Sequence, residues 1–173
     1  ETRSADQREA EQLAALRPLL QRIDAVEHSC LAGAAEVQSL ADLAKLPVLR
    51  KSDLSTWQKD MAPLGGIPVQ NITHYFQSPG PIYEPGGTGR DWWRFARFLH
   101  GLGIGADDVV QNTFSYHFTP AGMMFDNAAQ AVGAKVFPAG PGQTELQVMA
   151  AAQMGVTAYA GTPDYLGVIL AKA

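Results

Sequence analysis

The residues best placed to do chemistry are Ser115-Tyr116-His117-Phe118-Thr119. The stretch from Asp108 to Thr113 ahead of them has the composition of a buried strand, and Ala121 to Val132 behind them reads as a helix. Loops at the carboxyl ends of parallel strands are where open α/β sheets bind ligands. Tyr116, His117 and Phe118 are therefore the candidate substrate-binding residues, able to line an apolar or aromatic pocket with one polar handle. The alternative is that the same rings cap the sheet against the segment preceding it. Ser115 and His117 do not make a nucleophile and its base. On extended chain their side chains point the same way, but no acid stands nearby in sequence to orient the imidazole. No catalytic residue is assigned.

Two glycine-bearing stretches invite a phosphate-binding reading. Gly101-Leu102-Gly103-Ile104-Gly105 ends a helix and leads into a strand. A dinucleotide-binding turn runs the other way, so that a helix N-terminus meets the pyrophosphate. Ser78 to Gly87 lies between a strand and a helix, the right place for such a loop, and it offers Ser78 and Gly80. Phosphate loops need free backbone N–H groups and usually a lysine. This one has Pro79, Pro81 and Pro85, which have no N–H, and Glu84, which would repel phosphate. Metal chemistry is not expected. Cys30 is the only cysteine, and His28, His74, His100 and His117 lack ligand spacing.

The elements that must position these residues follow from hydrophobic periodicity. Asp6 to Glu27 reads as a helix carrying Leu13, Leu16, Leu20, Ile23 and Val26 on one face, with Pro18 expected to bend or break it. Ser39 to Leu43 and Lys51 to Trp57 are shorter helical stretches. Gly65-Gly66-Ile67-Pro68 is a loop and the expected boundary between a helical segment, 1–66, and an α/β subdomain, 67–173. In the latter, strands are expected at Ile72 to Gln77, Asp108 to Thr113, Ala134 to Pro138 and Val156 to Tyr159. Helices are expected at Asp91 to Leu102, Ala121 to Val132, Thr144 to Met154 and after Pro163. Thr88 with Asp91 is a candidate capping box, and Trp92, Phe95, Ala96 and Leu99 form an apolar helix face that reads as core. This alternation predicts an α/β fold with a mostly parallel sheet and helices on both faces.

A chain of 173 residues buries a sizeable core, about 70% of its unfolded surface. Its 46% hydrophobic and 17% charged residues are those of a globular protein. A net charge of −4 gives no footprint for nucleic acid. No apolar run approaches the roughly 20 residues of a membrane span, and Glu1 to Arg8 is not a signal peptide. A cytoplasmic protein is expected. The chain opens on Glu1 and closes inside an apolar helical stretch, Leu166 to Ala173, which reads as a fragment with a sticky C-terminal face and hence a possible homodimer.

Several segments together resemble the phenylacetate–CoA ligase branch of the adenylate-forming enzymes. Leu46-Pro47-Val48-Leu49-Arg50-Lys51-Ser52-Asp53-Leu54 is similar to that branch's Leu-Pro…Lys-x-Asp-Leu. Thr88-Gly89-Arg90-Asp91 resembles its Thr-x-x-Asp, Gly142-Gln143-Thr144-Glu145 its Gly-Asn-Thr-Glu, and Thr162-Pro163-Asp164-Tyr165 its Thr-Pro-Ser-Tyr. The matches are in order along most of the chain. The resemblance implies part of the N-terminal domain of an enzyme that activates an aryl acid with Mg-ATP and transfers it to coenzyme A. The chain would supply part of the acyl pocket through Phe114 to Gly122, be inactive alone and hold no cofactor by itself. The family's phosphate loop, Ser-Ser-Gly-Thr-Thr-Gly-Lys-Pro, aligns with Ser78-Pro79-Gly80-Pro81-Ile82-Tyr83-Glu84-Pro85. Ser78, Gly80 and Pro85 match, while both threonines, the second glycine and the lysine are absent. The alternatives are a non-catalytic relative that binds a carboxylate or acyl ligand, and a structural or interaction domain.

Overall fold

The computed structural model describes residues 3–26, 31, 33–67 and 69–173. Glu27 at the expected end of the first helix, His28, Cys30 and Pro68 lie outside them. The chain divides into two compact units, Glu1–Gln70 with Gly80–Tyr83, and Asn71–Pro79 with Glu84–Ala173.

In the first unit, helix α1 spans Ala5–Asp24 and is N-capped by Ser4, whose Oγ accepts the Gln7 amide at 3.1 Å. It runs through Pro18 without interruption, so of the expected bend or break the break does not occur. Both Pro18 and Ala14, whose carbonyl loses its helical partner, are exposed, so water takes the place of the missing bond. Leu20 is buried with Ala34 and Val37, and Leu16, Leu31, Leu43 and Leu46 pack around them. Helix α2, Leu40–Leu43, carries a capping box. Helix α3, Lys51–Asp60, presents the buried Gln58, whose amide makes two 2.7 Å bonds to the backbone of Tyr83, one to its carbonyl and one from its N–H.

The capping box makes a pH-dependent contribution. The Asp42 carboxylate takes the amide of Ser39 at 3.1 Å and its hydroxyl at 2.7 Å, and the Lys45 ammonium at 2.8 Å. The bond from Lys45, and next that from Ser39, lower the Asp42 pKa to about 2 from an ordinary 3.8. Because the folded value is the lower one, the contribution is complete above about pH 4 and fades as the pH falls toward 2. Protection factors against amide exchange at Asp42 to Lys45 should fall over that window, and Asp42→Asn should abolish the acid-dependent step.

Strands β1, His74–Ser78, and β2, Ile82–Gly86, form a two-stranded sheet. The expected loop from Ser78 to Gly87 is therefore a hairpin turn and a strand. Pro85 is tolerated because a two-stranded sheet has only edge strands, where a missing N–H costs little.

The second unit holds three parallel strands in the order β4-β3-β5. Strand β3, Val109–Asn112, pairs with β4, Lys135–Phe137, through Val110↔Val136, and with β5, Ala158–Ala160, through Val110↔Ala158. Successive strand residues point to opposite faces. Val110 enters a core with Leu99 of α4, Ala96–Gly101, and with Ala128 and Ala129 of α5, Ala121–Ala131. Gln111 points the other way and donates to Gln147 of α6, Thr144–Met154, at 2.7 Å. The sheet thus has helices on both faces, one contact apolar and one polar. Gln147 also bonds the carbonyls of Gly140 and Gly142, so its burial leaves no amide unsatisfied.

Helix α4 starts at Ala96 and not at Asp91, and the Thr88–Asp91 capping box does not form. Asp91 and Arg94 take left-handed backbone angles, φ 52° and 62°, which end any helix through them. Asp91 Oδ1 instead accepts the amide of Ala96 at 2.9 Å. Trp92 therefore lies in a turn ahead of the helix, and Phe95 is the N-cap residue, still packed on the core. Helix α7, Pro163–Lys172, is capped by Thr162 and packs on α6. Ile169 is buried, while Val168 is 53% and Leu170 65% exposed. No helix among the described residues is long and apolar enough to cross a membrane.

Candidate functional site

The site grows from the end of β3. Asn112 is fully buried, a costly position for an amide unless every polar atom is satisfied. Its Nδ2 donates to the Gly122 carbonyl and to Tyr116 Oη, each at 2.8 Å, and its Oδ1 accepts the Phe114 amide at 3.2 Å. One side chain thereby pins the strand end, the following loop and the start of α5. Gly122 makes the close approach possible. Its N–H donates to the Ser115 carbonyl at 3.0 Å.

Tyr116 faces a cleft of about 490 Å³ whose lining includes Gly87, Thr88, Trp93, Met123, Asp126 and Gln130. This is within the size range of small-molecule sites. The Tyr116 hydroxyl donates to Asp126 Oδ2 at 3.0 Å. Burial first, and then the Asp126 charge, push its pKa well above the usual phenol value, so the group keeps its proton. Gln130 donates to the other Asp126 oxygen. Asn127 braces the wall by accepting the Trp92 amide at 2.7 Å and donating to the Gly89 carbonyl at 3.2 Å. Trp93 is held against Phe76 with ring centroids 6.0 Å apart. No Lys, Arg or His is among the described lining residues.

The three sequence-derived candidates separate. Tyr116 lies in the cleft. His117 is exposed, and its amide donates to Ser115 Oγ while Ser115 Oγ donates to its carbonyl. Phe118 is 76% exposed in a left-handed conformation, φ 58°, with its carbonyl accepting the Gln77 amide at 2.8 Å. Asn112, Asp126 and Gln130 were not singled out by sequence. A signal existed in the helical spacing of Asp126, Asn127 and Gln130, polar groups on one face of an apolar helix.

Ser78 closes β1 and Gly80 is at the hairpin tip, where φ is 152° and a Cβ would meet Ile82 Cγ1 at 2.9 Å. Pro79 and Pro81 have no N–H, so Gly80 alone offers an amide across the turn. The residues present do not fit a nucleotide phosphate chain, which wants several converging N–H groups and a cation. Among the described residues, no group of three or more His, Cys, Asp or Glu is arranged to hold a metal.

No family model matches the chain. Phenylacetate-coenzyme A ligase of Aromatoleum evansii is 29% identical over 144 residues, covering 78% of this chain and 32% of that protein. The enzyme of the same name from Thermus thermophilus is 28% identical over 137 residues, covering 74% and 30%. Among solved structures, 2-hydroxyisobutyryl-CoA ligase in an open conformation with 2-HIB-AMP and CoA matches the whole chain with a TM-score of 0.84. That match is 24% identical and covers 41% of the ligase. The same ligase in the postadenylation state with 2-HIB-AMP also gives 0.84. In sequence the chain resembles phenylacetate-coenzyme A ligases and in fold it is similar to an α/β part of 2-hydroxyisobutyryl-CoA ligase, and it spans about a third of the length of the curated relatives it matches.

Proposed function

We propose that this chain is part of a cytoplasmic enzyme that activates an aryl carboxylic acid with Mg-ATP and transfers it to coenzyme A. The chain contributes one wall of the acid pocket and is inactive by itself. The observation that carries this reading is the cleft beside Tyr116 at the carboxyl end of β3, where ligands bind in open α/β sheets. In the intact protein, phenylacetate with ATP and coenzyme A should release AMP, and Tyr116→Ala should raise KM about tenfold or more. Absence of both turnover and acid binding across a panel of aryl acids would overturn the reading.

A second reading, a non-catalytic relative that binds an acid or acyl ligand, is favoured by the hairpin at Ser78 to Pro81. Titration calorimetry of the intact protein with Mg-ATP should then give a dissociation constant no tighter than millimolar. A micromolar value would exclude this second reading. The proposal extends to a homodimer through Leu146, Met149, Val168 and Leu170, exposed on the packed pair α6 and α7. Light scattering should show the mass rising with concentration, and a constant monomer mass would refute it.

A further inference from the structure

The cleft beside Tyr116 carries more hydrogen-bond acceptors than free donors. The Tyr116 proton is committed to Asp126 and one hydroxyl lone pair to Asn112. Asn127 uses its oxygen on the Trp92 amide and a proton on the Gly89 carbonyl. Gln130 spends one proton on Asp126, which leaves one N–H and its carbonyl oxygen. Each Asp126 oxygen accepts one bond, from Tyr116 or Gln130, and a carboxylate oxygen has room for two. The side chains bonded to Asp126 are neutral, and among the described residues no ion pair cancels its charge. A carboxylate walling a cleft repels the carboxylate of an acid substrate and attracts an O–H. The apolar lining, Trp93, Met123 and Pro138, fits a ring between those two ends.

We infer that Asp126 makes this cleft selective for aryl acids with a hydroxyl on the ring, the hydroxyl donating to the Asp126 carboxylate and the acid group lying at the far end. This rests on the acid-pocket reading above and names the substrate class for it. A bare phenyl ring would leave the Asp126 oxygens desolvated and underused, which is how a polar site rejects an analogue lacking the matching group.

The test is calorimetric titration of the intact protein with phenylacetate and with its 2-, 3- and 4-hydroxy derivatives. At least one hydroxylated acid should bind about tenfold or more tightly than phenylacetate, the value of one hydrogen bond to a charged group. Asp126→Asn, which keeps the shape and an acceptor for Tyr116, should cut that ratio to about threefold or less. The wild-type ratio is a test in itself and does not depend on how the variant folds. If phenylacetate binds, Tyr116→Ala weakens it, and the hydroxyl series shows no preference, this inference alone falls. A preference that survives Asp126→Asn in a variant with wild-type circular dichroism and melting has the same consequence. If no acid of the series binds, the acid-pocket reading falls and takes this one with it.

Discussion

Asn112→Ala should destabilise the second unit by about 3 kcal/mol and loosen the cleft with it. The truncation removes both ends of a buried amide. The Gly122 carbonyl and the Phe114 amide each lose a partner, and the Tyr116 hydroxyl loses the donor that orients it. A buried polar group left without a partner costs about 1–3 kcal/mol, and here two backbone groups and one hydroxyl are affected at a site with no exposure. Some of that cost is recovered if water enters the space vacated, which argues for the low end of the combined range of about 3–9 kcal/mol. Tyr116→Phe is the contrasting change. It leaves Asn112 its bond to Gly122 but removes the hydroxyl's bonds to both Asn112 and Asp126, at a cost of about 2 kcal/mol. Thermal unfolding followed by hydrogen exchange at β3 should therefore fall by roughly 6–12 °C for Asn112→Ala, at about 2–4 °C per kcal/mol for a chain of this size. The shift should be about two thirds as large for Tyr116→Phe. Equal shifts would mean that Asn112 acts only through Tyr116, and that the strand-to-helix pinning carries no energy.

How far the sequence reaches depends on whether local chemistry or a distant partner decides each element. Helix α6 is legible to the residue because both ends are marked locally. Gln143 and Gly155 take left-handed angles at its two caps, and apolar spacing fills the interval. Strand β3 is legible from its valines and from its position ahead of a polar loop. Helix α4 is misread at its start because Asp91-Trp92-Trp93-Arg94 looks like good helix, whereas Asn127 on α5 takes the Trp92 amide and Gly89 carbonyl into a turn. That contact is 35 residues away for Trp92 and no local pattern contains it. The hairpin at Ser78 is missed because proline and glycine counts argue for loop, while a two-stranded sheet asks little of Pro85. The site divides along the same line. Tyr116 is legible from topology, since it follows a parallel strand. Treating Tyr116 and Phe118 as one lining fails because Phe118 turns left-handed, so the period of two that would align them is broken. Asp126 and Gln130 are visible only as polar gaps in the apolar pattern of α5, and folding is what brings them to Tyr116.

Gly122→Ala should cost stability and Gly167→Ala should add it, although both glycines lie in helices. Alanine is the better helix former by about 1 kcal/mol, so propensity favours both changes. Space decides between them. A Cβ on Gly122 would lie 2.5 Å from the Ser115 carbonyl oxygen, 2.9 Å from its carbon and 2.9 Å from Tyr116 Cδ2. The first two are backbone atoms, held by the Gly122 N–H bond to that same oxygen, and they cannot rotate away. The loop from Ser115 must move off α5, at an overpacking cost of about 1–3 kcal/mol or more. That exceeds the propensity gain, and the net loss should be about 2 kcal/mol. A Cβ on Gly167 meets nothing within 4 Å, so α7 keeps the propensity term as a gain of up to about 1 kcal/mol. Because the displaced loop carries Tyr116, Gly122→Ala should weaken aryl-acid binding as well as lower the melting temperature, whereas Gly167→Ala should leave binding alone. Melting curves and titrations of the two variants side by side check both signs. A stabilised Gly122→Ala would show that the Ser115 loop gives way freely and that the approach of α5 to β3 is not what sets the cleft wall.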